Sequence, residues 1–202
     1  MLWGGHEGGL ELRKRASGAL AFRGLFPYNK RAVLSDGGRT GRPRKEVIAP
    51  RAFGYRVERP DEDIHFLVGH SYDRPLASRG AGTLDLTDSD DALSFVATIT
   101  LEMQEVSYVR DFLAGFAAGL IIGLSPGFRI PPQRTVPDAE TVEEENPAEG
   151  VALIRTVWQA LLFEISAVTR PAYDETQLEA RNWQPDCPIP PVRVHPSARW
   201  RA

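Results

Sequence analysis

The chain has 202 residues, 42% of them hydrophobic and 25% charged, with a net charge of −3, so it can bury one sizeable core. A balance this close to neutral gives no reason to expect nucleic acid or an anionic membrane as a partner. The one cysteine, Cys187, excludes an internal disulfide and a multi-cysteine zinc site, and the N-terminus lacks the basic start and apolar run of a signal peptide. A soluble protein of a reducing compartment, the cytoplasm, is expected.

From Leu10 to Phe26, apolar and polar residues alternate loosely around Gly18 and Gly24, which predicts one or two strands. The glycine-rich basic segment Ser35 to Lys45 reads as a solvated loop, its cations free to hold an acidic partner. Glu46 to Phe53 predicts a short strand that ends at Pro50 and leads into a helical turn with Phe53 inward. Asp63 to His70 predicts a buried strand with His70 at its end, and Ser71 to Arg79 a polar turn. Strands follow at Gly82–Leu86 and Ala92–Leu101, joined by the acidic turn Asp88 to Asp91.

Gln104 to Ala118 is the strongest helical segment, with Val106, Val109, Leu113 and Phe116 at three- and four-residue spacing and Gly119 to close it. Leu120 to Leu124 then predicts a buried strand broken by Pro126-Gly127, which offers Ser125 at a strand end. Residues 131–150 carry six acidic residues among prolines and read as a mobile acidic loop. Val151 to Val168 is a second apolar block whose one acid, Glu164, needs a partner if buried. A short helical segment is expected near Glu175 to Arg181. The domain accordingly spans residues 1–183, with a Pro/Arg-rich tail at 184–202.

A histidine at one strand end, a serine at another and a lone carboxylate in a third apolar strand are the parts of a serine hydrolase: a weak hydroxyl nucleophile, a base of near-neutral pKa, and an acid to orient it. Each part has an ordinary structural reading as well: a strand-terminating serine, a polar strand end, an edge-strand glutamate. Ser71 adjoins His70 but would face away from it in a strand. Ser166 shares a face with Glu164 and could hydrogen-bond its carboxylate. Asp73 is the rival orienting acid. His65 and His70 fall on opposite faces of a strand, with no other ligand cluster nearby, so no metal is expected.

Four segments, in order, resemble the tailed-bacteriophage prohead proteases, capsid-maturation enzymes similar in fold to the herpesvirus assemblin proteases. They are Glu46-Val47-Ile48-Ala49-Pro50-Arg51-Ala52-Phe53; Phe66-Leu67-Val68-Gly69-His70 with Arg74-Pro75-Leu76; Gly123-Leu124-Ser125-Pro126-Gly127-Phe128; and Leu162-Phe163-Glu164-Ile165-Ser166-Ala167-Val168 with Arg170-Pro171-Ala172-Tyr173. The likeness spans about residues 18–181. It implies Ser125 as nucleophile, His70 as general base and Glu164 as orienting acid, on an α+β, mainly β fold: an antiparallel β-barrel flanked by helices.

Pro126 has no N–H, so the oxyanion-hole donors are expected from Gly127, another loop or Arg129. Ala77 stands where the family usually has glycine. The resemblance further implies endoproteolysis of the major capsid protein precursor and scaffold inside the assembling procapsid of the bacterial host, with self-cleavage. The portal and a second copy of the chain are further candidate partners, and no cofactor is required. Two other readings are a catalytically silent assembly module of the same fold and a small-ester hydrolase; the absence of a Gly-x-Ser-x-Gly elbow argues against the common α/β form of the latter.

Overall fold

The computed structural model describes residues 10–171. In chain order the elements are β1 (Leu10–Lys14), β2 (Leu20–Pro27), β3 (Arg31–Ser35), β4 (Arg44–Ile48), α1 (Gly54–Val57), β5 (His65–Val68), β6 (Ser71–Ser78), β7 (Leu84–Asp88) and β8 (Ala92–Ile99). They continue with α2 (Leu101–Gln104), α3 (Ser107–Ala117), β9 (Gly123–Arg129), β10 (Glu140–Glu144), β11 (Leu153–Val157) and β12 (Leu161–Val168). The expected helix at Glu175–Arg181 and the tail from residue 184 lie outside the described residues.

The chain is mainly β, as expected, but the barrel is not closed. The strands form three open four-stranded sheets, ordered β1-β2-β8-β7, β10-β11-β4-β3 and β6-β5-β12-β9. Each keeps two edge strands, and no ladder joins one sheet to the next among the described residues. Two of the ladders, β4–β11 and β5–β12, are parallel. The sheets are held together by packing instead. Phe22 of β2, Phe66 of β5, Phe95 of β8 and Phe112 of α3 meet in one aromatic cluster, with centroids 4.9 Å apart for Phe66–Phe95 and 5.3 Å for Phe22–Phe112. Such rings dominate core energetics through their buried area.

Several local expectations change. The helix predicted from residue 104 is split: Thr100 caps α2 by accepting a hydrogen bond from the Met103 N–H at 3.3 Å, and α3 starts afresh after Val106. Val109 and Phe112 are its buried residues. The block Val151 to Val168 divides into β11 and β12. Ser71 to Ser78 forms β6, an edge strand, where its polarity had predicted a turn. The acidic segment 131–150 contains β10, which pairs with β11, and the basic loop before it supplies part of the reason. Arg42 binds Glu144 at 2.8 Å, Lys45 binds Glu145, and Arg155 reaches both Glu140 and Glu46. Two oppositely charged segments, each soluble alone, neutralise one another across the second sheet.

Candidate active site

The third sheet carries the site on the face turned away from the aromatic cluster. In β12, Ile165 and Ala167 are buried with Phe66 in the core, so Glu164 and Ser166 point the other way. Register fixes their neighbours: Ser125 lies opposite Ser166, and Gly127 opposite Glu164. Directly opposed residues of an antiparallel pair share a face, so Ser125, Gly127, Glu164 and Ser166 form one patch.

β9 does not break after Ser125 as predicted. It runs through Pro126 and Gly127 to Arg129, because it is an edge strand and a missing N–H costs nothing on an open edge. The ladder direction agrees. The Val168 carbonyl accepts from the Ile122 N–H on one side of β12, and the Ala167 carbonyl from the Gly69 N–H on the other. By alternation, Ser166 and Glu164 direct their backbone groups to β9, so the amides of Ser125 and Gly127 point into the sheet and the Pro126 nitrogen points out.

His70 arrives from a tight hairpin. Val68 pairs with Ser71, leaving a two-residue loop of Gly69 and His70 with φ of 59° and 61°. Positive φ at both central residues is the type I′ pattern, whose twist matches the flanking strands. Glycine adopts it freely; a histidine there is strained on the order of 1–2 kcal/mol. The surrounding bonds hold it. The His70 N–H donates to Ser166 Oγ at 2.8 Å, the Ser166 hydroxyl donates to Glu164 Oε2 at 2.7 Å, and Glu164 Oε1 lies 2.7 Å from His70 Nδ1. Both carboxylate oxygens are thus engaged, and Glu164 is buried, with a half-exposed imidazole as its partner. With the carboxylate ionised and the imidazole neutral, this contact places the ring proton on Nδ1 and leaves the Nε2 lone pair free.

The lack of a side chain at Gly127 makes room for this arrangement. A Cβ built there would sit 1.9 Å from Glu164 Oε1 and 2.6 Å from its Cδ, well inside van der Waals contact. On the far side of Glu164, the Tyr72 ring meets His65 edge-on, with centroids 5.6 Å apart. Burial and then the Glu164 charge raise the Tyr72 phenol above its ordinary pKa, while Arg56 and Arg129 pull the other way. At the other end of the sheet, a pocket of about 280 Å³ opens beside His70, between Val68, Ile121 and Val168, with Arg170 at its rim.

The structure therefore joins His70 to Glu164 and sets Ser125 on the same face. The Ser125 hydroxyl has no hydrogen bond, to His70 or elsewhere, among the described residues. Asp73, the rival acid, is exposed and makes no ion pair with His70 among the described residues, whereas Ser166 does bond the Glu164 carboxylate. Gly127 and Arg129, expected as oxyanion donors, both lie in β9. Sequence reasoning missed the clearance that Gly127 gives the carboxylate and the hairpin that aims His70. The second was legible, since a glycine-containing pair between two strand-like runs is a hairpin signal. No group of three or more candidate metal ligands occurs among the described residues, and no helix there is long and apolar enough to cross a membrane.

No curated protein and no solved structure matches the chain. The family model of the caudovirus prohead serine proteases matches residues 32–186, a span that takes in the His70 hairpin, β9 and β12. On that match over most of its length, the chain belongs to the caudovirus prohead serine protease family.

Proposed function

We propose that this member of a capsid-maturation protease family is a Ser-His-Glu endopeptidase acting on capsid precursor and scaffold proteins inside the procapsid. The supporting observation is the 2.7 Å contact between His70 Nδ1 and the buried Glu164 carboxylate, on the face that also carries Ser125. His70 Nε2 takes the proton of Ser125 as its Oγ attacks the scissile carbonyl, and Glu164 stabilises the imidazolium that results. The proton then passes to the leaving amine, an acyl-enzyme remains, and water activated by the same imidazole releases it. A bound peptide draws Ser125 and His70 together, since such bonds commonly tighten only in the substrate complex.

The oxyanion donors come from another loop, not from Gly127 or Arg129. The Gly127 amide is directed at β12. Arg129 lies four residues from Ser125, roughly 13 Å along a strand, beyond the reach of a guanidinium that stays on the Phe163 ring.

The test is intact-mass spectrometry of the concentrated protein over time, alone and with the matching capsid precursor, beside Ser125→Ala. Discrete cleavage of the precursor, and of the chain itself, is expected in the wild type only. Identical intact masses in all samples would leave the assembly-module reading in its place.

A further inference from the structure

Arg129 is left over once the proton relay is accounted for. It lies two residues past Gly127 in β9, so its side chain issues on the face that carries Ser125. Its guanidinium carbon sits 5.3 Å from the centroid of Phe163, and Arg56 covers the same ring at 4.2 Å. The two cations differ in what else they hold. Arg56 is nearly buried and bonds Glu62. Arg129 is exposed and has no carboxylate partner among the described residues. A guanidinium that rests near an aromatic ring keeps its planar fork of donors for a carboxylate.

We propose that Arg129, seated on Phe163, forms a subsite that binds an acidic side chain of the substrate. This rests on the reading of Ser125 as the nucleophile. An extended peptide rises about 3.3 Å per residue, so the roughly 13 Å from Ser125 corresponds to a residue three or four positions from the scissile bond, on one side of it only. The subsite thus reads a Glu or Asp at a single fixed distance from the cut.

The experiment uses short overlapping peptides that tile the matching capsid precursor, each made as written and with its Glu and Asp replaced by Gln and Asn. Cleavage by the full chain is followed by mass spectrometry, and binding to Ser125→Ala by fluorescence polarisation. The wild type is expected to prefer the acidic peptide about tenfold at one position, the worth of a single charge-assisted contact. In Arg129→Gln the acid-to-amide ratio falls to about one, and in Arg129→Lys it keeps part of its value. Phe163→Leu, which unseats the guanidinium without removing it, lowers the ratio too and serves if Arg129→Gln fails to fold. No acid preference in the wild type, or an unchanged ratio in Arg129→Gln, overturns the subsite even if peptides are cut. Acid-selective binding to Ser125→Ala that Arg129→Gln abolishes, with no cleavage by any variant, leaves the subsite standing and removes the protease.

Discussion

Glu164 and Glu145 are buried to the same degree, each 4% exposed, and each uses both carboxylate oxygens. Their partners differ in kind. Glu145 binds the ammonium of Lys45, takes the Ala152 N–H at 3.1 Å and has Arg31 at 3.6 Å. Lysine and arginine are side-chain types that carry charge at neutral pH, and the cluster ties the end of β10 to the second sheet. Glu164 binds an imidazole, the side chain type suited to changing charge near neutrality, and a hydroxyl that also fixes the backbone of that histidine. Burial of a carboxylate is therefore no sign of chemistry. A partner able to change charge, held against an open face that offers a hydroxyl, is the better sign.

The largest effect that would sharpen this contrast comes from removing one charge at a time. Glu164→Gln keeps the shape but cannot stabilise an imidazolium, and the cleavage rate is expected to fall by about 10³–10⁴-fold. Glu145→Gln should lower the melting temperature at neutral pH while precursor cleavage by the folded fraction persists. Paired rate and melting measurements decide the matter. Equal loss of cleavage in the two variants would erase the distinction between them.

Clearance comes next. Because a Cβ at Gly127 would fall 1.9 Å from Glu164 Oε1, Gly127→Ala has to push the carboxylate off His70. A displacement of about 1 Å at a catalytic group costs on the order of 10²-fold, so cleavage should drop by that factor. A variant as active as the wild type would mean that Glu164 is free to move and that its observed position is not the working one.

Two substitutions at the His70 turn differ from each other by a smaller effect, and in stability alone. At φ 61°, His70→Gly relieves strain that His70→Ala retains, and the glycine variant should be more stable than the alanine variant by about 1 kcal/mol in urea unfolding. Neither should cleave. If alanine proves equal to glycine, the turn relaxes once the imidazole is gone, and the positive φ depends on the side-chain contact with Glu164.

How much of this was legible in the sequence follows from which forces are local. The apolar runs from Asp63 to His70 and from Val151 to Val168, the helix around Val109 and the Ser125 stretch could be read because periodicity and composition are local signals, though not where each strand begins and ends. Pro126 misled, since whether proline breaks a strand depends on whether that strand lies at an edge. The acidic run from Glu140 to Glu145 misled for a related reason: its partners Arg42, Lys45 and Arg155 are remote or lie beyond it in the chain. Sheet closure depends on how strands from three sheets meet, which no single window encodes. The Glu164–Ser166 spacing made their hydrogen bond readable, while the need for an absent Cβ at Gly127 appears only once β9 lies against β12.

The smallest expected effect is also the one that separates the two carboxylates by pH alone. The Lys45 hydrogen bond, then the Ala152 amide, hold Glu145 below the usual carboxylate range. A folded-state pKa depressed below the unfolded value of about 4.3 stabilises the fold above that pH, and the contribution disappears as pH falls through the lower folded value. The melting-temperature gap between the wild type and Glu145→Gln should therefore be constant from neutral pH down to about 5 and close below about 4. Thermal melts across that range test it. A gap of the same size at pH 3 and pH 7 would mean that the Gln side chain fails for reasons of packing, and that the charge of Glu145 contributes nothing to holding β10 on its sheet.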